Sequence, residues 1–161
     1  MIGPIVVGIV YSLIVIVLSV LKPNAGRIVL GIFFLAMGLG VNLTMALTQP
    51  TFVLEYGSGA WLPLYRTLTE RIIGSAPLLF GILLIGFEVV MGVLLLTRGA
   101  GVKIGLVGTM VFVLALVPIA LPQIAWAGSI AGHIYLLTRR FDSDLVTLLR
   151  ERRYRRKKTQ S

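Results

Sequence analysis

Long stretches without charged side chains are the feature that most constrains this chain. Only 13% of the 161 residues are charged, and they gather in a few clusters between apolar runs of about 20 residues or more. A run of about 20 apolar residues crosses the hydrocarbon core of a bilayer as a helix. Inside a bilayer the backbone must satisfy its own hydrogen bonds, which helices do. The pattern predicts an all-α fold, a polytopic transmembrane helix bundle.

Three spans are bounded clearly by prolines, glycines and charges. They are predicted at 2–21, 28–47 and 75–97, and Pro77 suits the first turn of the third. Proline disrupts a helix interior because it lacks the N–H donor and its ring clashes with the preceding turn.

The number of spans in the stretch 104–138 is harder to assign, because the stretch has no Asp, Glu, Lys or Arg to mark a boundary. As one helix it would be about 52 Å long at 1.5 Å per residue, whereas the hydrocarbon core is about 30 Å thick. Pro118 and Pro122 lie near its midpoint. The sequence leaves one or two spans open here, and a turn at these prolines gives five spans in all.

The distribution of basic residues favours five spans. With five, the segments 22–27, 98–103 and 139–161 fall on one side and hold 13 of the 15 Lys and Arg residues, whereas the loop 48–74 on the other side holds two. Cytoplasmic loops carry the excess of basic residues. The prediction is a prokaryotic plasma membrane protein with its N-terminus outside and its C-terminus cytoplasmic.

Two segments outside the spans have amphipathic character. In the outer loop, aromatic residues predict a short helix near 61–71 on the membrane surface, which is either an interfacial anchor or a lid or docking surface. The chain divides into a bundle at 1–138 and a basic cytoplasmic tail at 139–161. Asp142 or Ser143 is expected to cap a short tail helix.

Basic side chains of the tail are expected to bind anionic lipid on the cytoplasmic side, with a protein partner as the alternative. This predicted lipid-binding set is Arg152, Arg153, Arg155, Arg156, Lys157 and Lys158.

Composition also excludes several kinds of chemistry. With no cysteine, the chain cannot supply a thiol nucleophile or the thiolates of an iron–sulfur cluster. The single histidine, His133, cannot give two axial haem ligands, and no carboxylate cluster accompanies it, so no metal site is predicted. Nucleic-acid binding is not expected, since the basic residues flank apolar segments and form no folded basic domain.

Glu88 is the leading candidate for a functional residue, because a carboxylate inside a bilayer must be protonated, paired or hydrated. Its helical neighbours are apolar, so a partner must come from another helix, and Asn42 or His133 are the candidates. The alternatives for Glu88 are a helix–helix hydrogen bond and a ligand, quinone or proton site.

Two stretches resemble a known family. They are 27–38 (Arg-Ile-Val-Leu-Gly-Ile-Phe-Phe-Leu-Ala-Met-Gly) and 86–98 (Gly-Phe-Glu-Val-Val-Met-Gly-Val-Leu-Leu-Leu-Thr-Arg). They resemble the DoxX-like family of small membrane proteins. The resemblance implies a four-helix core formed by the last four spans, with the N-terminal span as an addition, and it carries over Arg27 and Glu88 as site residues. The long outer loop and the first span depart from the family pattern.

The resemblance implies association with a membrane oxidoreductase system. The leading hypothesis is a small membrane subunit or helper with no intrinsic cofactor, a possible quinone ligand, and other membrane subunits or further copies of itself as partners. The sequence does not decide whether it is an enzyme. The alternatives are a non-catalytic structural or assembly subunit and a small transporter.

Overall fold

The computed structural model describes residues 2–158, with backbone alone for 152, 153 and 155–158. The described chain is all-helical, and one 26-residue helix, Pro23–Thr48, contains a π-helical segment in its middle. The elements are α1 (Ile2–Leu21), α2 (Pro23–Leu35), the π segment (Ala36–Asn42), α3 (Leu43–Thr48), α4 (Phe52–Ser58), α5 (Pro63–Arg71), a 3-10 turn (Ile73–Ser75), α6 (Pro77–Leu96), α7 (Ala100–Leu116), α8 (Gln123–Ala127), α9 (Ile130–Leu137) and α10 (Leu145–Lys158).

Three helices of the described chain are long and apolar enough to cross a membrane. They are α1, the continuous helix Pro23–Thr48, and α6, and the 17-residue α7 is a shorter apolar helix. Large apolar side chains such as Leu13, Ile82 and Val111 are about half exposed on their outer faces. In water such surfaces would cause association, so the architecture indicates an integral membrane protein.

The helices pack as a ring of four with one helix added outside. α2 packs against α6, α6 against α7, and α7 against α8 and α9, while α9 returns to α2. α1 lies outside this ring, against α2, α8 and α9. The centre of the ring is filled by buried aliphatic side chains, which are Leu30, Leu95, Val102, Leu106 and Leu136.

The chain reverses direction between α7 and α8, as the two prolines predict. α7 ends at Leu116 and α8 begins at Gln123, so Pro118 and Pro122 lie in the connection. At the other end, Lys103 in the first turn of α7 donates to the backbone carbonyls of Leu137 and Arg139. The stretch 104–138 is therefore two antiparallel segments rather than one long helix.

The loop between α3 and α6 forms a small helical cap. The helix predicted near 61–71 is present as α5, and α4 before it was not predicted. The Trp61 indole N–H donates to the carbonyl of Val117 at 3.0 Å, which ties the cap to the α7–α8 connection. Leu64 and Leu68 on α5, and Ile72 directly after it, lie about one turn apart and are exposed, as expected for a helix at a membrane surface.

The tail helix α10 is capped at a different residue from the two that were predicted. The Asp144 carboxylate accepts the backbone N–H of Thr147 at 2.8 Å, whereas the expected caps were Asp142 and Ser143. The helix begins at Leu145, so Asp144 is the residue whose side chain reaches the free N–H groups of the first turn. These hydrogen bonds to Thr147 lower the pKa of Asp144. The predicted lipid-binding side chains lie outside the described residues.

Candidate functional site within the helix bundle

Glu88 lies near the middle of α6 and is buried, with 3% of its surface exposed. The side-chain amide of Asn42 donates a hydrogen bond to its Oε2 at 2.6 Å. A buried carboxyl group is costly unless it is neutral or bonded. The prediction that Glu88 is buried and paired from another helix is therefore confirmed.

The π segment is what brings Asn42 to this position. In the last turn of the segment the backbone N–H of Leu43 bonds to the carbonyl of Gly38, five residues earlier instead of four. Such π turns shift the angular register of a helix and often occur at functional sites. Gly38 also permits a close approach to α6, because a Cβ there would lie 3.1 Å from the Cβ of Glu88.

Of the two predicted partners, Asn42 bonds to Glu88 and His133 does not. His133 lies on α9, which packs against α1, α2 and α7 rather than along α6. Its side chain has no exposed surface, and its Nδ1 is 2.9 Å from the carbonyl of Ser129 on its own helix. The ring arrangement of the helices therefore separates the two buried ionisable residues.

Arg27, the other residue carried over from the family resemblance, is fully buried at the opposite end of the α2–α6 contact. Its guanidinium donates to the carbonyls of Leu95 and Thr97 at the end of α6, and to that of Ser143 beyond α9. Glu88 precedes Leu95 by two turns, or about 10 Å along the helix. The structure therefore places Arg27 away from the Glu88–Asn42 pair.

The segment after α9 is held across this end of the ring through its backbone. Every second carbonyl accepts a hydrogen bond: those of Leu137 and Arg139 from Lys103, that of Phe141 from the N–H of Gly99, and that of Ser143 from Arg27.

Phe141 fills the space under this segment and is 3% exposed. The Arg27 guanidinium and the Lys103 ammonium lie 4.9 and 5.9 Å from its ring centre, within the range of cation–π attraction. We call residues 137–143, with Arg27, Gly99 and Lys103, the inner clamp. Sequence reasoning missed it, and the one available signal was an isolated Phe between charged residues.

A connected group of aromatic rings crosses the bundle, and it was also missed. Neighbouring ring centres lie 4.3 to 5.9 Å apart, which is the usual distance for aromatic pairs. Phe87, the residue before Glu88 on α6, contacts Phe112 at 5.2 Å and so joins α6 to the group. The members are Tyr11, Phe33, Phe34, Phe87, Phe112 and Trp126.

The Glu88–Asn42 pair suits proton transfer or hydrogen bonding to a ligand better than metal binding. Within residues 2–158, no group of three His, Asp or Glu side chains is placed to hold a metal ion. A carboxyl with one oxygen held by an amide can still use its other oxygen to accept or donate one hydrogen bond.

Comparison with known proteins gives no relative: no protein-family model, curated protein or solved structure matches the chain.

Proposed function

We propose that this protein is a small integral membrane subunit or helper that works beside a quinone-linked membrane oxidoreductase. In this proposal the Glu88–Asn42 pair binds the quinone head group or transfers its proton. The observation that carries the proposal is a buried carboxyl bonded across two helices by a single amide. Ionisable residues within membrane helices are rare and usually functional because they are costly to insert.

The surroundings of the carboxyl support a quinone better than a charged ligand. A quinone head group is flat and uncharged, and its oxygens accept hydrogen bonds when oxidised and donate them when reduced. A carboxyl group can meet both needs by releasing or taking up one proton. Phe87 is the residue before Glu88 on α6, and the contact between its ring and that of Phe112 provides an apolar surface against which a flat ring can stack. The resemblance to the DoxX-like family supports the same assignment.

We expect Glu88→Gln to weaken quinone binding at least about tenfold while leaving the fold intact. Glutamine keeps the shape of the side chain and can accept the Asn42 bond through its one carbonyl oxygen, but it lacks the second oxygen that a carboxylate offers to the hydroxyl of a reduced quinone, and a hydrogen bond to a charged group is worth about 1.5–3 kcal/mol. The measurement is retention of a short-chain ubiquinol analogue by the purified protein in mild detergent under reducing conditions, with thermal unfolding measured in parallel.

Glu55→Gln is the matched control, since Glu55 is exposed in the outer cap and its carboxylate bonds to Thr51. Its quinone retention should equal that of the wild type. If Glu88→Gln retains the analogue as well as the wild type does, Glu88 only joins helices, and the structural or assembly subunit becomes the better hypothesis.

We further propose five membrane crossings, with the N-terminus outside and the C-terminus in the cytoplasm. The antiparallel course of α7 and α8–α9 supports the fifth crossing. The concentration of basic residues at one end of the bundle supports the orientation. The basic tail would then lie where anionic headgroups are plentiful, each Lys or Arg contributing about 1 kcal/mol to binding.

Reporter fusions test this topology. A reporter active only in the cytoplasm should work at the C-terminus and fail at the N-terminus, and one active only outside should show the reverse. Equal activity of one reporter at both termini requires an even number of crossings and would contradict the proposal.

A further inference from the structure

We propose a second polar site, an internal water-binding site formed by His133, Ser129 and Ser19 where α1, α2 and α9 meet. Water bound there donates a hydrogen bond to Nε2 of His133 and bonds to the two serine hydroxyls. The site is separate from the Glu88–Asn42 pair, and the inference does not depend on the proposed function.

The first observation is that three enclosed polar atoms have no protein partner. They are Ser19 Oγ, Ser129 Oγ and His133 Nε2, the only such side-chain atoms in the described part of the chain, and all three residues have no exposed surface. Nearly all buried polar groups in proteins are bonded to protein or ordered water. Ser129 and His133 lie one turn apart at the start of α9 and Ser19 lies on α1, and one ligand shared by the three groups would satisfy them all.

The second observation defines the state of the imidazole. Nδ1 of His133 is 2.9 Å from the backbone carbonyl of Ser129, and a carbonyl oxygen only accepts hydrogen bonds. Nδ1 therefore carries the proton. In a neutral imidazole the other nitrogen is then an acceptor, so the ligand at Nε2 must donate an O–H or N–H.

The third observation is that Ser19 packs directly against two glycines, one on α2 and one on α9. A Cβ at Gly132 would lie 3.1 Å from Ser19 Oγ, and one at Gly26 would lie 2.8 Å from it. Gly132 is adjacent to His133 and three residues after Ser129, so the Ser19 hydroxyl lies against the turn of α9 that carries the other two groups. A larger residue at either glycine would collide with the Ser19 hydroxyl.

Water is the ligand that suits this site, because the site is enclosed. A buried water typically makes about three hydrogen bonds to polar groups that lack other partners. The site offers three, from one acceptor nitrogen and two hydroxyls that can each donate or accept. Since none of the three residues is exposed, a larger hydroxyl compound could not reach Nε2 without moving a helix.

Solid-state NMR of the full-length protein in bilayers tests the site directly. The chain has one histidine, so ¹⁵N-histidine labelling gives an unambiguous signal. We expect a protonated Nδ1, an unprotonated Nε2, and magnetisation transfer from water to Nε2. A protonated Nε2, or transfer to Nε2 from lipid or another bound molecule instead of water, would overturn the proposal.

Serine variants provide an independent test through the sign of the stability change. If water bridges these groups, Ser19→Ala and Ser129→Ala each remove one of its bonds, so they should lower the thermal unfolding temperature and shift the Nε2 resonance. In a dry site, removing an unbonded hydroxyl would raise the unfolding temperature and leave the resonance unchanged. Ser58→Ala, in the exposed outer cap, is the control and should change neither.

Discussion

Replacing Arg27 with methionine is expected to lower the free energy of unfolding by about 3 kcal/mol or more, because three carbonyl acceptors lose the same charged donor. The variant leaves the carbonyls of Leu95, Thr97 and Ser143 without their donor. A buried acceptor without a partner costs about 1–3 kcal/mol. Reversible unfolding in mixed micelles, followed by tryptophan fluorescence, measures the change.

Two further variants define the cause of the Arg27 effect. Lysine at position 27 should recover only part of the loss, because one ammonium cannot reproduce the planar fork of donors that guanidinium presents. Lys22→Met is the control, since Lys22 is exposed at the same end of the bundle. If Arg27→Met is no less stable than Lys22→Met, the inner clamp contributes nothing to stability.

Gly92→Ala is expected to destabilise the protein by about 1–3 kcal/mol, the usual cost of adding a methyl group to a tightly packed core. A Cβ at Gly92 would lie 2.9 Å from the carbonyl oxygen of Gly31 on α2. The obstacle is backbone, so the two helices must separate. The same unfolding measurement applies.

Gly86→Ala is a matched control on the same helix, because a Cβ there meets no atom within 4 Å. Alanine is a better helix former than glycine by about 1 kcal/mol, so this variant should be as stable as the wild type or more stable. Equal destabilisation by both substitutions would mean that the α2–α6 contact does not require a glycine at position 92.

These two predictions concern one pair of helices, the continuous helix Pro23–Thr48 and α6, which contact each other at three levels. Arg27 joins their ends at the inner clamp, Gly31 and Gly92 meet in the middle, and Asn42 bonds to Glu88 beyond them. The geometry of the proposed quinone site thus depends on contacts about 10 Å away along α6. We therefore expect Gly92→Ala to weaken quinone retention as well, since it displaces Asn42 relative to Glu88.

Much of the architecture could be predicted from the sequence because it follows from local rules. The length of each apolar run, the prolines in the α7–α8 connection and the surface helix α5 depend on neighbouring residues alone. The burial of Glu88 was also predictable, because a carboxyl in an apolar helix must avoid lipid and find a partner.

Tertiary structure decided which residues become partners. Asn42 rather than His133 bonds to Glu88 because a π segment changes the register of one helix and because α2 and α7 lie between α6 and α9. Arg27 binds backbone carbonyls that lie about 70 and 116 residues away in sequence. Every residue has a carbonyl, so no side-chain pattern marks those partners. The inner clamp and the proposed water site therefore depend on packing that brings distant segments together.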